Sequence, residues 1–363
     1  MSGSSSRLAA RPRGRPRLGR LVRWALLAAV LVVAGFFLAP KARDAVRALP
    51  ALRGVNALWL AAALAAEIGS LLAFSLVTWV LIARGSRPPF GRVVRIDLVT
   101  IALSHAVPAG SAAGTALGYE LLDAEGIGAV PAGFVKVSQS LLSGVMLQVL
   151  LGLALTMKIV IYGPSPASIG LAAGGSVLVF LVLGFGWLLG RRTGVVRRLA
   201  VGVLGWVRRL PRAGIVAVVN ELGEQTRALL AAPRRLLVVC LWSMANWVFD
   251  LLSLWATLRA FGTPTNPVLL TLAFCVAQVA AALPISPAGL GVVESSLVAL
   301  LTSFGTPAAV AVLGVLGWRL VNYWLPLPVG AAAYLGILVD RRAGRRTGVP
   351  AGRSASRPAE QAS

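Results

Sequence analysis

The chain has 363 residues, 57% hydrophobic and only 13% charged, with a mean hydropathy of +0.82 and a formal net charge of +23. A soluble domain cannot bury that much apolar surface, so the composition excludes a water-soluble protein and indicates a polytopic membrane protein. Its arginines gather at the ends of apolar stretches, with seven between Arg7 and Arg23, ten between Arg191 and Arg235 and six between Arg341 and Arg357, which excludes a nucleic-acid binder and matches membrane-flanking charge.

Residues 1–20 are rich in Ser, Arg, Pro and Gly and read as a disordered basic tail. A first span is predicted over 21–39; no small-residue cleavage site precedes Pro40, so it is expected to stay in place. A connector with Lys41, Arg43, Arg47 and Arg53 leads to a second span, 57–83, which carries Glu67. After Arg84, Arg87, Arg92 and Arg95 comes a broken apolar segment, 94–122, containing Pro108, Gly110 and Gly114. A span over 130–161 carries Lys136, Gln139 and Gln148. An uncharged turn precedes a span over 168–190. Residues 191–235 form a basic, partly amphipathic linker expected on the cytoplasmic membrane surface. A span over 236–261 is followed by a second broken segment, 267–304, with Pro284, Pro287, Gly289, Gly291 and Glu294. The last apolar stretch, 307–339, is interrupted by Pro326 and Pro328, and residues 340–363 read as a disordered basic tail. Residues 21–339 therefore form one transmembrane domain.

The two broken segments carry the most information. Proline removes a backbone donor and glycine weakens a helix, so an apolar helix breaks there. Bare backbone cannot face lipid, because each unpaired group costs several kcal/mol. The breaks must be buried in protein or line a wet cavity. Two such segments in corresponding positions point to a transport-like site near the midplane.

Arginine placement sets the topology. If the first broken segment crossed fully, the ten arginines of 191–235 would lie outside, against the positive-inside tendency. The expectation is an all-α membrane protein with about six full spans and two re-entrant hairpins in inverted arrangement, both termini cytoplasmic; the alternative is eight full spans. The connector with Lys41 and Arg43 is the misfit, since this topology places it outside.

Ionisable groups inside a bilayer cost roughly 3 kcal/mol or more, so each needs a reason. Glu294 would fall in the first turn of a half-helix starting near Gly291, either as a local cap or in a substrate, proton or ion-pair role. Arg319, Asn322 and Tyr323 fall at i, i+3 and i+4 and so share a helix face. The guanidinium fork of Arg319 suits a carboxylate, with Glu294 the obvious partner, or a lipid phosphate. His105, just before the first break, is either a hydrogen-bonded packing residue or a proton relay. Lys136, Gln139, Ser140 and Ser143 make a polar stripe that lines a cavity or glues helices, and Asn246 and Asp250, one turn apart, carry the same two readings. Glu67 stands alone in mid-span without a nameable partner. Cys240 and Cys275 read as small core residues, and one histidine without a Cys/His cluster argues against zinc. There is no phosphate loop, dinucleotide fingerprint or nucleophile elbow, so neither a cofactor nor an enzyme is expected.

These residues resemble a known family. Ser104-His-Ala-Val-Pro-Ala-Gly-Ser-Ala-Ala-Gly-Thr-Ala-Leu-Gly-Tyr, Leu283-Pro-Ile-Ser-Pro-Ala-Gly-Leu-Gly-Val-Val-Glu294 and Trp318-Arg-Leu-Val-Asn-Tyr-Trp-Leu-Pro326 look like the flippase-like transmembrane region of bacterial lysylphosphatidylglycerol synthases. The likeness covers about residues 20–340. The family usually has Pro-Gly-Gly where this chain has Pro-Ala-Gly at 108–110 and 287–289. Fusion members carry a soluble aminoacyl-transferase domain after the membrane region, and the expectation here is the stand-alone, lipid-translocating form. The resemblance implies a plasma-membrane protein that binds and moves a phospholipid or lipid-linked headgroup, with anionic phospholipids as partners and a separate lipid-modifying enzyme as a further one. The competing readings are an accessory membrane subunit or membrane-embedded transferase acting on lipid, and a membrane scaffold or receptor with no transport. Arg319, Glu294, Asn322, Tyr323, His105, Lys136, Gln139 and Asp250 are the expected headgroup-binding residues.

Overall fold

The computed structural model describes residues 55–107, 110–204, 212–281 and 289–346. The expected first span, the 41–53 connector and the prolines Pro108, Pro284 and Pro287 lie outside them. Among the described residues the regular elements are helices. In chain order they are α1 (Ala57–Leu81), α2 (Phe90–Ala106), α3 (Gly110–Asp123), α4 (Ala129–Tyr162), α5 (Pro166–Arg191), α6 (Thr193–Leu204), α7 (Arg212–Leu230), α8 (Pro233–Ala260), α9 (Pro267–Ala281), α10 (Val292–Ser303), α11 (Ala308–Arg319) and α12 (Pro326–Arg346). Among the described residues, five stretches are long and apolar enough to cross a membrane: Ala57–Leu81, Ala129–Tyr162, Ser168–Arg191, Pro233–Ala260 and Ala308–Arg341.

Helix α1 is built inside out. Leu60, Leu64, Ile68 and Leu72, four residues apart, are exposed, while Ala63, Glu67, Ser70, Ala73 and Val77 are buried. Leucines outward and small or polar residues inward is the pattern of a helix solvated by lipid, where close packing and hydrogen bonds replace the hydrophobic effect between helices. The buried face meets α8, running antiparallel. At one end Asn56 N–H donates to the Ala260 carbonyl (3.1 Å). In the middle Asn246 Nδ2 donates to the Ser70 carbonyl (3.1 Å). At the other end Arg235 donates to the Val80 and Leu81 carbonyls (3.0 and 2.6 Å), satisfying the orphan acceptors of α1's last turn.

Helices α2 and α3 fold back on each other as a hairpin, as do α9 and α10. In the first, a Cβ on Gly110 would collide with the Ser104 carbonyl and one on Gly114 with the Thr100 carbonyl. Only a glycine edge lets the two arms lie this close. In the second, Gly289 (φ 70°) and Gly291 (φ 83°) turn the chain through backbone that other residues rarely adopt. The arms hold 17, 14, 15 and 12 residues. At about 1.5 Å per residue each is shorter than the ~30 Å hydrocarbon core.

The hairpins open at opposite ends of the molecule. Arg92 pairs with Glu125 across the first mouth (2.9 Å), and Arg95 pairs there with Asp340 at the far end of α12 (3.0 Å). Helix α4 runs from that mouth to Tyr162, whose hydroxyl accepts from Asn266 Nδ2 at the second mouth (2.9 Å). The core divides accordingly. One buried cluster joins α1, α2, α3, the start of α4 and Ile337 of α12. The other joins the later part of α4, α8, α9, α10 and α11, around Leu254, Phe274, Leu297 and Trp318.

Two sequence expectations change. Gly110 and Gly114, expected as broken backbone, are helical and serve as packing edges of α3, because the close approach, not the turn, requires them. Residues 340–346, expected in the tail, continue α12. The basic 191–235 linker, expected to be helical in part, holds α6, α7 and the start of α8.

Candidate functional site

The site forms where α11 ends. Pro326 has no N–H to return to the helix, and the chain accommodates it with a π-helical turn over Leu320–Trp324, in which Leu325 N–H donates to the Leu320 carbonyl (3.0 Å). The wide turn separates side chains that ordinary helical spacing would align. Arg319, Asn322 and Tyr323 reach three different partners, which the sequence pattern did not show.

Arg319 turns to the second hairpin. Its Nε lies 3.0 Å from Glu294 Oε1. Glu294 is the third residue of α10, and its Oε2 accepts from Gly291 N–H (2.6 Å), so it caps the half-helix and holds the arginine at once. Both expected readings of Glu294 are therefore met by one carboxylate. Arg319 is 5% exposed, its guanidinium carbon lies 5.1 and 5.6 Å from the Trp318 and Tyr323 ring centroids, and neither Nε nor Nη2 makes a well-aligned hydrogen bond among the described residues, so Glu294 holds it as an ion pair.

Tyr323 turns to the first hairpin. Its hydroxyl donates to the His105 carbonyl (2.6 Å), and His105 Nδ1–H returns a bond to the Tyr323 carbonyl (3.1 Å). The two rings stack with centroids 4.6 Å apart. His105 thus packs and orients, with its Nδ1 proton committed. His105 and Glu294, which flank the two breaks, therefore both bond to one turn of one helix.

Asn322 turns to the central helices. Its Nδ2 donates to Asp250 Oδ1 (3.0 Å) and Glu67 Oε1 (3.2 Å). Asp250 also accepts from Trp318 Nε1 (2.8 Å) and Gln278 Nε2 (3.3 Å). Glu67 and Gln278 were not among the expected site residues. The available signal was Glu67's place in mid-span, opposite a second mid-span carboxylate on an antiparallel partner. Arg319, Glu294, Asp250, Asn322, Tyr323 and His105 thus lie around one turn of the chain.

Lys136 and Gln139 do not. Lys136 pairs with Asp97 of α2 and donates to Gln139 Oε1 (3.1 Å), while Gln139 Nε2 donates to the Phe74 carbonyl (3.0 Å). Ser140 Oγ donates to the Lys136 carbonyl and Trp247 Nε1 to the Ser143 carbonyl. The stripe holds helices together at a separate centre, with Asp97, fully buried, as its unforeseen member. Among the described residues no three His, Cys, Asp or Glu side chains are grouped to hold a metal ion.

Comparison with known proteins follows the same lines. The family described as "Lysylphosphatidylglycerol synthase TM region" matches residues 24–330. A UPF0104 membrane protein of Methanothermobacter thermautotrophicus is 28% identical over 106 residues, 28% of this chain and 32% of the relative. A UPF0104 membrane protein of Methanocaldococcus jannaschii is 26% identical over 100 residues, 28% of this chain and 29% of the relative. The chain thus spans about a third of the length of these curated relatives.

Proposed function

The chain belongs to the family of the lysylphosphatidylglycerol synthase transmembrane region, and on that premise we propose that it binds a phospholipid or lipid-linked headgroup and carries it between the leaflets of the plasma membrane. The observation that carries this reading is that Glu294 and His105, which flank the two breaks, both bond to the Arg319–Tyr323 turn. In this reading the hairpins are re-entrant, one from each face, and their tips meet near the midplane. A headgroup phosphate replaces Glu294 at the guanidinium fork, which offers donors in a plane that phosphate oxygens match. The acyl chains stay in the bilayer throughout. No group in the site needs to break a bond, so the protein acts as a carrier and not as an enzyme. Anionic headgroups fit Arg319 best.

The test is bilayer exchange in liposomes holding fluorescent anionic, zwitterionic and lysyl-modified phospholipids. Faster exchange of one headgroup class is expected. Arg319→Ala removes a charge-assisted contact of about 1.5–3 kcal/mol and should slow that exchange roughly tenfold or more. Unchanged exchange in a folded Arg319→Ala protein would sink the assignment.

A further inference from the structure

Beside the arginine lies a carboxyl pair that headgroup binding does not use. Glu67 of α1 is 2% exposed and Asp250 of α8 is 4% exposed. One amide, Asn322 Nδ2, bridges Glu67 Oε1 and Asp250 Oδ1. Glu67 Oε2 is buried with no hydrogen-bond partner among the described residues. Ser253, one turn from Asp250, places its hydroxyl beside the Glu67 carboxyl. The two carboxyls thus share one amide donor, and a proton on Glu67 would turn its buried Oε2 from an acceptor into a donor toward that hydroxyl.

Charge counting leads to the same place. The elements packed on α1 bring up Asp250 from α8, Asp97 and His105 from α2, Lys136 from α4 and Tyr323 from the π turn. Arg319 of α11 and Glu294 of α10 lie next to these. Lys136 is matched by Asp97. His105 and Tyr323 are bonded to each other's carbonyls. Glu67, Asp250 and Glu294 then stand against Arg319 alone. Two uncompensated carboxylates in a bilayer interior would cost several kcal/mol.

We propose that Glu67 and Asp250 form a proton-binding site whose occupancy is linked to the headgroup at Arg319. This rests on the proposed headgroup site and names the ion coupled to it. An anionic headgroup beside Arg319 adds negative charge next to the pair and favours proton uptake there. By linkage, a proton on the pair favours the anion equally. Lipid and proton then travel together.

Two measurements on the full chain test this. Infrared spectroscopy of the protein in lipid nanodiscs at neutral pH should show a protonated-carboxyl band that shifts in heavy water and is lost in Glu67→Gln. A wild-type spectrum without that band overturns the proposal, whatever the variant does. In sodium-free liposomes, an imposed pH gradient should bias the distribution of fluorescent phosphatidylglycerol by up to about tenfold per pH unit, and Glu67→Gln should abolish the bias. A bias that follows a sodium gradient instead overturns proton coupling. If the wild-type protein moves no lipid, the headgroup reading fails by itself, and the infrared band still decides whether the pair holds a proton.

Discussion

Two buried cations serve different ends. Arg319, paired with Glu294, keeps an unsatisfied Nη2 among the described residues and is the cation of the proposed headgroup site. Lys136 has its charge met by Asp97 and belongs to the scaffold. Removing one member of such a pair leaves a bare charge in a dry interior, at about 3–5 kcal/mol, whereas replacing both with apolar groups is often close to neutral. Lys136→Met alone should therefore lower the thermal midpoint in detergent markedly. Lys136→Met with Asp97→Leu should recover most of the loss. Equal destabilisation by the single and double variants would refute the pairing. The sequence made Arg319, Glu294 and Asp250 visible because charge within apolar runs is conspicuous. Asp97 was hidden by Arg92 and Arg95, beside which it reads as interfacial. Asn322 and Glu67 are 255 residues apart, and only the fold joins them.

At the scale of elements, the hairpins were legible because proline and glycine punctuate an otherwise apolar chain. The π turn was not, since a single proline announces a disturbed helix without stating how it is absorbed. The glycines of α3 were misassigned for a related reason: a glycine needed for φ and one needed for close approach look identical in sequence. The structure separates them, and so does substitution. Gly114→Leu should collide with the Thr100 carbonyl and Ser104, costing about 1–3 kcal/mol or more as the hairpin opens. Gly144→Ala on α4 meets nothing within 4 Å and should be tolerated. Fluorescence-detected size exclusion of detergent extracts after graded heating would rank the two. Equal stability would show that the arms do not depend on glycine contact.

At the scale of the whole molecule, the order span, hairpin, span occurs twice, with mouths at opposite ends. The contacts of Glu125 with Arg92 and of Asn266 with Tyr162 mark the two mouths; entry of the hairpins from opposite membrane faces is the proposal that arginine placement motivates. With Cys240 and Cys275 replaced, single cysteines at Glu125 and at Asn266 should react with a membrane-impermeant thiol reagent from opposite sides of oriented vesicles. Labelling of both from one side would rule out the inverted arrangement.

The shared turn has a further result. One hairpin leans on Arg319 and the other on Tyr323, four residues along the same backbone. In the proposed carrier this makes the two hairpins partners in one coupling: a change at the Glu294–Arg319 pair is passed along four residues of backbone to the stacked Tyr323 and His105 rings, and linkage makes the influence mutual.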